Sequence, residues 1–383
     1  MLFAVPHVPE TLARLGNRAG LLAALVRSRK RSRTSECCRR FCAEGLALVT
    51  ASQQTRAIRR EKKMQTKRAF HGSLVLIGIC LSVLTSCATG HRQLSEQKVS
   101  FAVLADPRGH GDTWKNALQE IRDRNTNGEP AFTPAEFIIV AGDMDPLVSR
   151  YEDYQCVFPN PDTRPMFLPV IGNHEFENGG VHFRYARDVL IPSIPGVVRR
   201  HASSCDYYFD HKNVRIIVVD GYTELGKSGV INAEGKKWVE QVIKETPVSI
   251  EHIFISFHEP AFPRFRHIGD SFDQDPEQRN AFWRMLIEHR DRVRAILVGH
   301  THSYYRMRVL DPAGMTANDP KSFPDEDNGI YQVDAGAAGN ASVNTIVQVQ
   351  TEGKNVLFRV LQATRGANMP FTEIDKWRIV RQP

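Results

Sequence analysis

The chain has 383 residues, with 50 basic and 43 acidic side chains and a formal net charge of +7. Its 42% hydrophobic and 24% charged residues make a globular composition, which excludes wholesale disorder, a collagen-like fibre and a polytopic membrane protein. The charge is uneven: Met1–Cys87 carries 16 basic and 4 acidic residues, a net of +12, whereas the remaining 296 residues carry 34 and 39, a net of −5. Nucleic-acid binding read from overall charge would therefore rest on the first 87 residues alone, and no nucleic-acid partner is expected for the rest.

Residues 1–63 contain RSRKRSR (27–33), RAIRREKK (56–63) and the cysteines Cys37, Cys38 and Cys42. They form either a cytoplasmic basic extension able to touch anionic lipid or nucleic acid, or an upstream stretch that is not translated, with Met64 as the start. Residues 64–86 follow the order of a secretory signal: Lys67 and Arg68, an apolar run from Ser73 to Leu84, then small residues. The run falls short of the about 20 residues that span a bilayer comfortably. Leu84-Thr85-Ser86-Cys87 resembles the lipobox of bacterial lipoproteins, which implies cleavage before Cys87 and its lipidation. The alternative is an uncleaved N-terminal anchor. Either way the expectation is a cell-envelope protein, exported and held at a membrane, with 87–98 as linker and 99–383 as the folded domain. Only Cys156 and Cys205 remain in that domain, which leaves open one disulfide or two buried free thiols.

From residue 99 onward, apolar runs alternate with amphipathic segments. SFAVLA (100–105), EFIIVAG (136–142), MFLPVIG (166–172), VRIIVVD (214–220), HIFISF (252–257) and VRAILVG (293–299) are short and rich in β-branched or aromatic residues. Each reads as a strand buried on both faces. Helical patterns cover 113–124, 232–245 and 276–290, so an α/β fold with a largely parallel central sheet is expected. Beyond residue 303 the pattern turns to strands alone, with Glu352-Gly353-Lys354-Asn355 as a hairpin turn. Asp311–Asn328 reads as a long loop.

Chemistry sits at the strand ends. The successive runs are followed by Asp106, by Asp143, by Asn173-His174-Glu175, by His258 and by His300-Thr301-His302. In open parallel sheets the ligand site lies beyond the carboxyl ends of the strands, so these side chains can converge on one crevice. A mixed Asp/Asn/His set suits Mn, Fe or Zn better than a thiolate or all-oxygen set would.

GDMD (142–145), GNHE (172–175), FHEP (257–260) and GHTH (299–302), in that order, resemble the motifs of the calcineurin-like metallophosphoesterase superfamily. The tail of HEPAFP and the helix NAEGKKWVEQVI further resemble its purple-acid-phosphatase-like and cyclic-nucleotide-phosphodiesterase-like branches. The resemblance implies a four-layer α/β/β/α sandwich of two mixed sheets, with a dinuclear metal site at strand C-terminal ends. It implies that Asp143 bridges two divalent or trivalent ions, that Asn173, His258 and His300 complete one site, and that Asp106 and His302 hold the other. It further implies that His174 faces the leaving group with Glu175 orienting its imidazole. The implied activity is hydrolysis of a small phosphomonoester or phosphodiester by attack of a metal-bound hydroxide. The family's first motif is usually Asp-x-His, but here it is Asp106-Pro107-Arg108. A guanidinium cannot ligate a cation, so Arg108 reads either as a clamp on substrate phosphate or as an ion pair with Asp112 or a neighbour; His110 is a conceivable substitute ligand. Phe262, Arg264, Phe265, Arg266 and His267 read either as a substrate wall or as an ordinary loop, while Asp220 reads as structural. The lost motif-one histidine leaves a second reading, a non-catalytic phospholigand-binding surface protein on the same fold.

Overall fold

In the computed structural model, residues 97–127, 133–222, 229–314 and 329–380 are described. The basic extension, the signal segment, Cys87 and most of the Asp311–Asn328 loop lie outside the described residues. Six expected strands form where the apolar runs stand: β1 (Lys98–Leu104), β2 (Phe137–Ala141), β3 (Met166–Val170), β6 (Val214–Val218), β7 (His252–Ser256) and β8 (Val293–Val298). The C-terminal strands are β9 (Tyr304–Val309), β10 (Ile330–Ala335), β11 (Val343–Glu352), β12 (Asn355–Thr364) and β13 (Thr372–Ile379). Two further strands, β4 (Val198–Arg199) and β5 (Tyr207–His211), precede β6. Glu352 pairs with Asn355 across the expected hairpin turn.

The strands divide into two mixed sheets, ordered β13-β12-β11-β1-β2-β3 and β4-β5-β6-β7-β8-β10-β9. This corrects the single, largely parallel sheet read from strand–helix alternation. Parallel pairing is confined to β1-β2-β3 and to β6-β7-β8-β10, and the hairpin strands extend each sheet antiparallel. Alternation along one strand explains the layers. Ile216 and Val218 join the core shared with the first sheet, while Ile217 and Val219 face the other way. Phe254 of β7 meets Phe101 of β1 edge-on at 5.1 Å, so aromatic side chains fill the space between the sheets.

Helices cover the outer faces. Helix α1 (Gly111–Asn127) buries Trp114, Ala117, Leu118 and Ile121 in the core of the first sheet, beside α2 (Leu147–Val157). Helices α3 (Ala233–Lys244) and α4 (Pro276–Glu288) bury Val239, Val242, Ile243, Phe282, Trp283 and Leu286 against Ile217, Ile255 and Ile296 of the second. Asn232 caps α3 by accepting from Gly235 N at 2.7 Å, and Asp275 caps α4 with Pro276 at its first position. The result is an α/β/β/α sandwich. No disulfide joins Cys156 and Cys205, so of the two alternatives the pairing is not made, and only Cys205 is buried while Cys156 is exposed.

Candidate metal centre

The motif residues occupy the sharp turns that leave β1, β2, β3, β7 and β8. Asp106, Asp143, His300 and His302 all adopt left-handed backbone conformations, with φ of 49°, 55°, 73° and 56°. Such angles are uncommon for residues with a Cβ and persist where the surroundings impose them. The turns also pack without room for side chains at their glycines. A Cβ on Gly142 would lie 2.2 Å from Nδ1 of His258, and one on Gly172 would lie 2.4 Å from Oδ1 of Asp143. These two glycines let one strand end approach the next closely enough for shared ligands.

The side chains converge. Asp143 Oδ1 lies 3.3 Å from His258 Nε2, which lies 3.2 Å from His300 Nδ1. Asp106 Oδ1 lies 3.3 Å from His302 Nε2, and Asp106 Oδ2 accepts the His300 backbone N–H at 2.9 Å. The ligand atoms of Asp106, Asp143 and His258 all fall within 4.8 Å of one another, and all three residues are buried. Asn173 opens the turn after β3, next to His174, whose backbone N–H donates to Asp143 Oδ1 at 3.2 Å.

The hydrogen bonding fits this set to cations. His258 Nδ1 donates to the Ala141 carbonyl at 2.7 Å, which fixes the ring so that Nε2 is the atom facing Asp143. Asn173 Oδ1 and His300 Nε2 are buried atoms with no hydrogen-bond partner among the described residues, and Asp106 Oδ1 makes no hydrogen bond there and lies 3.3 Å from the His302 imidazole. Buried lone pairs left this way are costly unless something electropositive meets them. Charge makes the same demand. Burial, reinforced by the neighbouring Asp106, raises the Asp143 carboxyl above its ordinary value although His258 and His174 pull it down. Burial opposes a charge on His258, yet Asp143 and Asp106 prevail and push its imidazole up to about 9. Burial and the adjacent His258 push His300 far down, so it stays neutral, as a ligand must.

Around this cluster the structure departs from several expectations. Glu175 does not orient His174. Its buried carboxylate accepts three backbone N–H groups, from Gly172 and Met144 at 2.7 Å each and from Asp143 at 3.1 Å. Both of its oxygens are thereby committed to holding the Asp143 turn against the Asn173 turn. Burial and the Asp143 charge push Glu175 up to about 8 despite these donors. The carboxylate at His174 Nδ1 is Glu177, with Oε1 2.5 Å away, while Asp143 Oδ2 lies 3.6 Å from Nε2. Sequence reasoning missed Glu177, and the only available signal was an acidic residue three positions after the histidine.

Arg108 stands in the crevice rather than on Asp112. Its guanidinium meets His174 Nε2, and its Nε lies 3.1 Å from Asp145 Oδ1. His110 is exposed and accepts from Arg365 Nη1 at 3.2 Å, which leaves it tied elsewhere and not in the ligand set. Of the residues considered for a substrate wall, Phe262 is core, fully buried against Trp283. Arg266 Nη1 reaches His302 Nδ1 at 2.7 Å, and the His267 ring lies 4.0 Å from that of His300. His267, Asp270 and His300 form a second group of mutually close ligand atoms beside the first. Asp220 is structural, accepting from Cys205 N and Tyr222 N.

A two-sheet α/β sandwich with an Asp/Asn/His cluster at strand ends defines a class of metal-dependent hydrolase scaffolds. The calcineurin-like phosphoesterase family model matches residues 99–304, and the chain belongs to that family. Among solved structures, the fold is similar to a purple acid phosphatase from yellow lupin (Lupinus luteus) seeds, with 13% identity and a TM-score of 0.53. That match covers 74% of this chain and 54% of the lupin protein, so this chain spans about half of that protein's length. A structure of PhoD is also similar, with 10% identity, a TM-score of 0.46 and coverage of 73% of this chain and 72% of that one. Comparison with curated proteins finds no match.

Proposed function

We propose that the chain is a metal-dependent phosphoesterase acting on small phosphomonoesters or phosphodiesters. The observation that carries the reading is the buried, unpartnered lone pairs on Asn173 and His300, gathered with Asp106 around Asp143 and His258. Asp143, Asn173, His258 and His300 would hold one cation, and Asp106, Asp143 and His302 a second, with Mn, Fe or Zn suited to the donors. Two such cations, when bound, activate water and neutralise the phosphoryl oxygens of an in-line displacement.

The chain's own groups handle the proton and the phosphate. A guanidinium only donates, so His174 Nε2 offers its lone pair to Arg108 while Nδ1–H faces Glu177. Protonation of Nε2 breaks the contact with Arg108. His174 then carries the proton that the departing alkoxide takes as its P–O bond breaks, and Glu177 steadies the imidazolium. The released Arg108, held at Nε by Asp145, can donate to a phosphoryl oxygen. Glu175 acts only by positioning the two turns.

The test is metal-stripped protein titrated with Mn, Fe or Zn against a chromogenic phosphomonoester and the matching diester. Turnover that needs the cation and disappears in His174→Ala and Asp143→Ala supports the reading, and the preferred ester assigns the reaction. Phosphate binding without turnover under every cation would replace it with a non-catalytic phospholigand-binding role. We also propose export and lipid anchoring at Cys87, supported by the charged, apolar and small-residue order before it. A mass spectrum of the mature N-terminal peptide without a lipid adduct on Cys87 would contradict that anchor.

A further inference from the structure

The segment after β7, Pro263–Asp270, runs along the rim of the metal crevice. Arg266 touches His302 and His267 lies against His300, so the segment is fixed to the ligand set at two points. Between these anchors and Arg264 stands Phe265, with φ of 72° and 68% of its surface exposed. A bulky aromatic in the left-handed region is a backbone outlier, and here the strain presents the ring to solvent instead of burying it. Tyr305 meets its edge at 6.4 Å, and the Arg264 guanidinium lies 5.1 Å from its centroid. Ile268, next along the rim, is 44% exposed. Among the described residues no carboxylate pairs with Arg264 or Arg266, so two cationic groups flank an open aromatic face.

We propose that Phe265, backed by Arg264, is a recognition platform for a planar aromatic group on the organic side of the phosphoester substrate. This rests on the phosphoesterase reading and narrows it. The phosphoryl group would sit among the metal ligands, and a flat ring, aryl or nucleobase, would stack on the exposed Phe265 face. Stacking on an aromatic platform is tolerant of ring identity, so the class defined is a flat ring and not a particular base.

The test is binding of non-hydrolysable phosphonates to the metal-loaded protein, read by calorimetry. Methylphosphonate is compared with phenylphosphonate and with the methylene phosphonate analogue of AMP, in wild type, Phe265→Ala and Phe265→Tyr. The expected result is at least about tenfold tighter binding of a ring-bearing ligand than of methylphosphonate in the wild type. Phe265→Ala should remove that preference and leave methylphosphonate unchanged, and Phe265→Tyr should retain it. Methylphosphonate binding with no ring preference, or a preference that survives Phe265→Ala, overturns the platform and leaves the phosphoesterase reading intact. No binding of any phosphonate overturns both.

Discussion

Glu175 and Glu177 stand two residues apart, and their substitution should produce opposite phenotypes. Glu175 is fully buried and accepts three backbone N–H groups that fasten the Asp143 turn to the Asn173 turn. Alanine would strand all three donors. At about 1–3 kcal/mol for each buried donor left unmade, the loss is about 3 kcal/mol at the least, before any cavity is counted. Domain stabilities are about 5–15 kcal/mol, so Glu175→Ala should lose a large share of the fold's stability. Glu175→Gln keeps the volume but must turn an NH2 group toward at least one N–H, and should cost about 1–3 kcal/mol. Glu177 has a half-exposed side chain and touches only the edge of the crevice. Glu177→Gln should change stability by less than about 0.5 kcal/mol and act on turnover instead. Urea unfolding of the four proteins, paired with steady-state rates, separates the two roles. A stable Glu175→Ala, or an unfolded Glu177→Gln with normal kinetics in its folded fraction, would refute the assignment.

Further outcomes follow from the same geometry. Arg108→His restores an imidazole to the first motif and should tighten the cation site of Asp106, Asp143 and His302; calorimetry showing unchanged stoichiometry and affinity would count against it. Gly142→Ala puts a Cβ 2.2 Å from His258 at a φ of 90°, so it should lower stability by at least about 2 kcal/mol and weaken cation binding. A variant that melts and loads like the wild type would contradict that packing. His252 is fully buried, accepts from Arg294 Nε at 2.9 Å and donates to the Gly353 carbonyl at 2.7 Å. Burial, then the Arg294 charge, pushes its imidazole down to about 3. The unfolded chain therefore binds more protons below pH about 6.5, so this stability is complete above that pH and falls as pH drops toward 3. At pH 4 the loss is about 3 kcal/mol, and His252→Gln, which can keep one donor and one acceptor, should flatten the acid limb of an unfolding-versus-pH curve. An acid limb identical in the two proteins would remove His252 as its source.

The strands carrying the site were legible because each is a short β-branched run ended by glycine and a ligating residue. Parallel strands buried on both faces leave no other pattern. Helix α2 was not legible, because its buried stripe of Leu147, Arg150, Tyr154 and Val157 contains an arginine that only the folded chain explains. There Arg150 turns its Nη1 to Asp153 at 3.3 Å, and its carbonyl accepts from Trp114 Nε1. Strand β13 carries four charged or hydroxyl residues before Trp377, so as an edge strand it lacks a hydrophobic signature. The division into two sheets escaped strand–helix alternation, since partner choice depends on contacts distant in sequence, such as β1 with β11. At the site, spacing brought the ligands to light, whereas the Glu175–Glu177 exchange depended on turn geometry: the 3-10 turn at Asn173–Phe176 points Glu175 inward at the backbone and leaves Glu177 beside the imidazole.

The central proposal is that Asp143 would hold two cations, which would supply the activation for phosphoester cleavage. Its most direct test is a cation titration of metal-stripped protein, following bound cation and phosphoester turnover in the same samples, for the wild type and Asp143→Asn. Two cations per chain, turnover rising with the second, and loss of both the second cation and turnover in Asp143→Asn is the expected result. Turnover in stripped protein, or full cation loading and activity in Asp143→Asn, would contradict it.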